Sequence, residues 1–212
     1  MWMLLAIASS VYGQKLRLNS YGSYVFDGSY HIYYENGDYY KGIINPGLQL
    51  GFGMEYLVTP NYGVEFSNLR RYTHVFPEGD ISSDRRSADL MFNYFLLGIN
   101  AYPQTHSERL QAFGGASMGV IVQSASGTNS NIMTRSITKF AWAAKVGGIF
   151  WASSQVGVKL QAQWLSSLQF KNGIVNFDVH GIGNGPVAYT IANQLELGTG
   201  FIIKLGKPSD KN

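Results

Sequence analysis

The stretch that decides the fold runs from Gly47 to Val58 and reads Gly-Leu-Gln-Leu-Gly-Phe-Gly-Met-Glu-Tyr-Leu-Val. Apolar residues occupy every second position, so that one face of an extended chain carries Leu48, Leu50, Phe52, Met54, Tyr56 and Val58. The other face carries Gln49, Gly51, Gly53 and Glu55. The same alternation returns at 156–164 and at 194–205. Segments of about ten alternating residues between turn-rich connections are typical of a transmembrane β-barrel.

Composition supports a barrel and excludes several other classes. Charged residues make up 14% of the 212 positions, and no apolar run reaches the length of about 18 residues that a membrane helix needs. A chain that crosses a bilayer without helices must close its strands into a barrel. The net charge of +3 is too small and too scattered to indicate nucleic-acid binding, and the absence of cysteine excludes disulfides and thiolate metal sites.

Three segments divide the chain. Residues 1–13 have the apolar core and small residues of a secretory signal peptide, which we expect to be cleaved before Gln14. Residues 14–206 form the predicted barrel, and 207–212 form a short polar tail.

The connections between eight predicted strands alternate in length. Long polar connections lie at 27–42, 74–89, 124–138 and 169–189, whereas the others are short, such as the turn at Thr59-Pro60-Asn61. This alternation predicts an all-β, eight-stranded, antiparallel up-and-down transmembrane barrel with its long loops outside the cell and both termini in the periplasm. Because the polar faces consist mostly of Gly, Ser and Gln, they suit a narrow lumen better than the surface of a soluble barrel.

Several phrases resemble the small eight-stranded outer-membrane β-barrels of the OmpA/OmpX-like kind in Gram-negative bacteria. They include the segments 24–27, 36–40 and 60–65, Lys139-Phe140-Ala141-Trp142, and 156–163. The resemblance spans the mature chain and implies a place in the outer membrane rather than an activity. The sequence departs from that family at its end, where residues 206–212 follow the last strand instead of an aromatic terminus.

Charged residues on the polar faces predict a network inside the lumen, formed by Arg17, Glu55, Glu65, Lys145, Lys159, Glu196 and Lys204. Closure of the first strand against the last is expected to bring Arg17 near Glu196, and the charges are expected to balance. Such a network either forms a gated polar path or a proton relay, or it fills the barrel as fixed ion pairs. Eight strands enclose a space only wide enough for side chains, which favours the second interpretation.

The loops carry the other candidate sites. Tyrosines and one phenylalanine form a possible interaction surface or an interfacial aromatic belt: Tyr30, Tyr33, Tyr34, Tyr39, Tyr40 and Phe177. The candidate bases are the four histidines, His31, His74, His106 and His180, and a lipid-modifying enzyme would combine His74 or His180 with Ser82 or Ser83. The pairs Asp178 with His180 and Asp80 with Asp84 are too small to form a metal site.

The sequence therefore favours a structural or interaction role, as an accessory or docking subunit with a plugged lumen and no cofactor. The alternatives are a lipid-modifying enzyme of the outer membrane and a narrow pore for small solutes. The expected partners are outer-membrane lipid, lipopolysaccharide and other outer-membrane proteins, and not nucleic acid.

Overall fold

A computed structural model describes residues 15–34, 39–75, 88–104, 107, 109–127, 135–170 and 187–205. The predicted signal peptide and C-terminal tail lie outside these ranges and remain predictions. No helix in the described part of the chain is long and apolar enough to cross a membrane.

Ten strands follow one another along the described chain. They are β1 (Leu16–Val25), β2 (Gly28–Tyr34), β3 (Tyr39–Ile44), β4 (Gly47–Thr59), β5 (Tyr62–Val75), β6 (Ala88–Ala101), β7 (Leu110–Gly127), β8 (Arg135–Trp151), β9 (Val156–Phe170) and β10 (Val187–Leu205).

Eight of these strands form a closed antiparallel barrel. Neighbouring strands pair in the order β1, β4, β5, β6, β7, β8, β9, β10, and β10 pairs back to β1. Closure leaves these strands without a free edge along the barrel wall, which is what a β structure needs in hydrocarbon. The predicted eight-stranded, all-β barrel is therefore confirmed.

The connection at 27–42 is structured, which corrects the expectation of a plain polar loop. β2 and β3 form a hairpin, and β2 pairs with the first part of β10, beyond the part that pairs with β1. Only Phe26 and Asp27 separate β1 from β2, and Asn45 and Pro46 separate β3 from β4. Proline lacks the N–H that a ladder requires, so Pro46 interrupts the strand. The hairpin therefore extends one side of the barrel wall.

The other three long connections are also shorter than predicted, because the strands beside them are longer. β5 reaches Val75 and β6 starts at Ala88; β7 reaches Gly127 and β8 starts at Arg135; β9 reaches Phe170 and β10 starts at Val187. We call this end of the barrel the long-loop end. The opposite end, with residues 15, 60–61, 102–104, 107, 109, 152–155 and 205, is the short-turn end.

The apolar faces point outward. Leu50, Phe52, Leu160, Leu197 and Phe201 are all more than half exposed, whereas their neighbours Gln49, Gln161 and Glu196 are buried. On the outside, the rings of Trp142 and Trp164 lie 6.0 Å apart between centroids. An exposed apolar band around a polar interior is the arrangement of a membrane barrel and the reverse of a soluble one.

Two apolar clusters occupy the interior. The larger lies between the middle of the barrel and the long-loop end and contains Tyr21, Leu69, Phe92, Tyr94, Leu96, Ile121, Ala141, Ala143 and Leu165. The smaller lies at the short-turn end and contains Tyr102, Phe113, Ile149, Trp151 and Ile202, with Leu57 packed against it. Charged side chains lie between and beside these clusters.

Candidate functional site

Glu55 and Glu65 form the centre of the charged lumen. β4 and β5 place them directly opposite each other, and both side chains point inward and are almost completely buried. Two carboxylates in this position repel each other, so they persist only where other groups donate hydrogen bonds or carry positive charge.

Four side chains donate to Glu65 from three other strands. Asn19 Nδ2 lies 2.6 Å from Oε1, and the Tyr21 hydroxyl donates to the same oxygen. Asn100 Nδ2 lies 2.9 Å from Oε2, and Lys145 Nζ forms an ion pair with that oxygen. Glu65 therefore links β1, β6 and β8 across the lumen.

Glu55 is satisfied mainly by neutral donors. The Tyr102 hydroxyl lies 2.6 and 2.8 Å from its two oxygens, and Asn100 Nδ2 lies 2.6 Å from Oε1. Arg17 Nη1 approaches Oε2 only to 3.6 Å, which is an ion pair without a hydrogen bond. Arg17 also lies over the rings of Tyr102 and Trp151, at 4.8 and 5.5 Å from their centroids.

Two of the predicted lysines are placed against aromatic rings. Lys159 Nζ lies 4.4 Å from the Phe113 centroid and 3.4 Å from the Tyr21 hydroxyl. Lys204 Nζ lies 3.7 Å from the Trp151 ring centroid, and its side chain is half-buried. Attraction to the ring face partly replaces a carboxylate partner for each ammonium group.

Glu196 lies apart from the other carboxylates. Its Oε2 accepts hydrogen bonds from Gln49 Nε2 at 2.5 Å and from the Ser23 hydroxyl at 3.1 Å. The expectation that Arg17 meets Glu196 is wrong, because the register pairs Arg17 with Lys204 and Glu196 with Val25, at opposite ends of β1. Alternation fixes which way a side chain points but not the stagger between strands.

Two buried cations were missing from the predicted network. Arg71 is 1% exposed and has no hydrogen-bond partner on its guanidinium, although it lies 5.1 Å from the Phe92 centroid. Lys139 is 6% exposed. Continuing the alternation of β5 beyond Ser67 would have identified Arg71, and Lys139 already stood on the polar face of its strand.

The expected charge balance is also wrong for the described part of the chain. Inward carboxylates number three, Glu55, Glu65 and Glu196, whereas inward cations number six: Arg17, Arg71, Lys139, Lys145, Lys159 and Lys204. The lumen therefore carries a positive excess. Aromatic rings lie beside Arg71, Lys159 and Lys204.

The remaining predicted sites fall largely outside the described residues. The backbones of Tyr30, Tyr33, Tyr34, Tyr39 and Tyr40 belong to the β2–β3 hairpin. His31 and His74 lie on β2 and β5, but their side chains are not described. Outside the described ranges lie His106, His180, Ser82, Ser83, Asp80, Asp84, Asp178 and Phe177. Within those ranges, no group of three or more metal-ligating side chains occurs.

Comparison with solved structures identifies the fold. The outer membrane protein OprG from Pseudomonas aeruginosa superposes with a TM-score of 0.58 at 15% sequence identity, over 91% of this chain and 96% of OprG. The chain has the fold of a small outer-membrane β-barrel. This fold supports an outer-membrane location.

Two further solved structures match over most of their length with lower TM-scores. Neisserial surface protein A matches with a TM-score of 0.49 and 10% identity, over 90% of this chain and 97% of its own. The outer membrane protease OmpT from Escherichia coli matches with a TM-score of 0.45 and 9% identity, over 90% of this chain and 96% of its own. No protein-family model and no curated protein matches the sequence. Similarity of fold therefore assigns no activity to this barrel.

Proposed function

We propose that this barrel is a membrane-embedded scaffold that presents its long-loop end to a partner and does not conduct solutes through its lumen. One observation carries the proposal: large apolar side chains, each at most 8% exposed, cross the interior at the short-turn end, namely Tyr102, Phe113, Ile149, Trp151 and Ile202. An eight-stranded barrel is only wide enough for side chains, so such a layer leaves no room for a water-filled path.

The middle of the lumen supports the same interpretation. Glu65 is held by donors from three other strands, and this network spans the interior next to the apolar layer. A relay or gate needs groups that change partners, whereas these carboxylate oxygens already have several donors each. The simpler role for the network is to stiffen the barrel wall through fixed ion pairs.

The long-loop end offers the surface for a partner. The β2–β3 hairpin extends the wall there, and five of its residues are tyrosines, at positions 30, 33, 34, 39 and 40. Tyrosine is enriched in protein interfaces. By the usual arrangement of outer-membrane barrels, we place this end outside the cell and both termini in the periplasm. The exposed apolar band contacts lipid, including lipopolysaccharide in the outer leaflet.

Co-purification from native membranes tests this role. An affinity-tagged full-length chain is compared with a variant in which all five hairpin tyrosines are serine, and with Tyr62→Ser, which changes an exposed tyrosine at the short-turn end. We expect a stoichiometric envelope protein to be retained by the wild type and by Tyr62→Ser, and to be lost from the hairpin variant. Retention of that protein by the hairpin variant would contradict the proposed surface.

A further inference from the structure

The short-turn end contains a recess of about 430 Å³, and Tyr102 and Trp151 of the apolar layer form part of its lining. Its lining combines two cations, two aromatic rings and several polar groups: Arg17, Asn61, Tyr102, Pro103, Gln104, Ser107, Gln111, Trp151 and Lys204. This volume is within the range of small-molecule sites.

The strand register places two positive charges together in this recess. Arg17 on β1 pairs directly with Lys204 on β10, and both side chains point into the barrel. Like charges directly across a ladder destabilise it. Water screens this repulsion only weakly on the side of Arg17, because Arg17 is 4% exposed.

No described carboxylate compensates both charges. Glu55 is the only acid that pairs with Arg17 in the described residues, at 3.6 Å, and its oxygens already accept hydrogen bonds from Tyr102 and Asn100. Arg17 Nε and Nη1 are buried without a hydrogen-bond acceptor. Lys204 is placed over the Trp151 ring. Among the described residues, the lining of the recess therefore carries an excess of positive charge.

We propose that the recess binds a small organic anion through a carboxylate or phosphate group. The anion lies between the Arg17 guanidinium and the Lys204 ammonium, where it relieves their repulsion and accepts charge-assisted hydrogen bonds. The rings of Trp151 and Tyr102 provide an apolar wall for the rest of the ligand. Gln111 fixes the Trp151 indole, whose Nε1 donates to Gln111 Oε1 at 3.2 Å.

Calorimetric titration of the full-length barrel in detergent tests the site, with phenyl phosphate as the anionic probe and benzyl alcohol as the neutral one. We expect one phenyl phosphate per barrel and a preference over benzyl alcohol. Lys204→Met should weaken phenyl phosphate binding by about tenfold or more, because it removes one of the two cations that contact the anion. Lys15→Met removes an exposed charge at the same end but outside the recess, and should leave the affinity unchanged.

A second readout keeps the test independent of folding. The Trp151 indole NMR signal, assigned with Trp151→Phe, should shift on titration at the same phenyl phosphate concentration in the wild type and in Lys15→Met, and only at about tenfold higher concentration in Lys204→Met. Equal affinity for both probes, unchanged binding in Lys204→Met, or an equal loss in Lys15→Met would overturn the proposal.

The titration also identifies the source of the anion. It is repeated in nanodiscs of phosphatidylcholine with and without phosphatidylglycerol. Suppression of phenyl phosphate binding by phosphatidylglycerol assigns the site to a lipid headgroup, whereas equal binding in both discs assigns it to a soluble solute.

Discussion

Glu65 is the side chain on which the largest number of described lumen contacts converges. It accepts from Asn19, Tyr21, Asn100 and Lys145, and it is 2% exposed. Loss of its charge leaves Lys145 without its carboxylate and reduces the acceptors available to the other donors. Removing one member of a buried ion pair costs about 3 to 5 kcal/mol, whereas replacing both members is often neutral.

We therefore expect Glu65→Gln to destabilise the barrel by about 3 to 5 kcal/mol, more than Lys145→Met does. The double variant should lose less than the sum of the two single losses. Urea unfolding in detergent, followed by tryptophan fluorescence, measures all three. Additive losses would show that the two groups do not act as a pair.

For Arg71, in contrast to Glu65, we expect that removal of the charge costs little stability. Its guanidinium is buried without a hydrogen-bond partner, so the Phe92 ring compensates only part of its desolvation cost in the folded state. Arg71→Met keeps most of the apolar stem, and we expect a change in unfolding free energy within about 1 kcal/mol in either direction. A loss as large as that of Glu65→Gln in the same urea assay would mean that Arg71 forms a strong interaction in the membrane-embedded state.

At the residue scale, the sequence predicts which side chains point inward but not which of them meet. Alternation is a property of one strand and placed Glu55, Glu65 and Lys159 inside. Pairing depends on the stagger between strands. This stagger places Arg17 opposite Lys204 and near Glu55 instead of Glu196. The recess at the short-turn end depends on that stagger and had no signal in any single segment.

At the scale of the strand, the facing of β9 makes a direct prediction. Leu160 is 62% exposed on the outer face. Leu160→Arg should cost about 2 to 4 kcal/mol, because a charge near the bilayer midplane loses its hydration. Ser154→Arg, in the exposed turn before β9, is the matched control and should be nearly neutral. Refolding titrations into lipid vesicles measure both, and equal costs would contradict the assigned facing.

The barrel closes where β1 pairs with β10, which we call the seam, and glycines there permit the two backbones to approach closely. A Cβ at Gly200 would clash with the carbonyl oxygen of Ser20 on β1, whereas a Cβ at Gly148 meets nothing within 4 Å. We expect Gly200→Ala to cost about 1 to 3 kcal/mol, as overpacking usually does. Gly148→Ala should leave the urea midpoint unchanged. If the two variants unfold at the same midpoint, the seam tolerates the extra methyl group and the close approach is not required.

Strand boundaries were the least predictable elements. Polar, tyrosine-rich residues at 27–42 indicated a loop, although the Asn36-Gly37 pair is also a hairpin signal. Their pairing comes from β10, which continues past the end of β1 and provides an edge for β2. The hairpin depends on β10, a strand distant in the sequence, and no local pattern predicts that pairing.

At the scale of the whole molecule, closure was predictable because eight alternating segments with alternating connection lengths have few other solutions in a membrane. The contents of the lumen were only partly predictable. The sequence indicated charges, whereas the apolar layer of Phe113, Ile149, Trp151 and Ile202 forms from three different strands. The proposal that the lumen does not conduct solutes rests on this layer.

Single-channel recording in planar bilayers tests that claim most directly. The wild-type chain, refolded from denaturant so that native porins are absent, should give no current steps above the lipid baseline. Phe113→Ala, recorded in parallel, assigns any current to this chain because it alters the proposed closing layer. Reproducible steps from the wild type, changed in size by Phe113→Ala, would contradict the account and establish a conducting lumen.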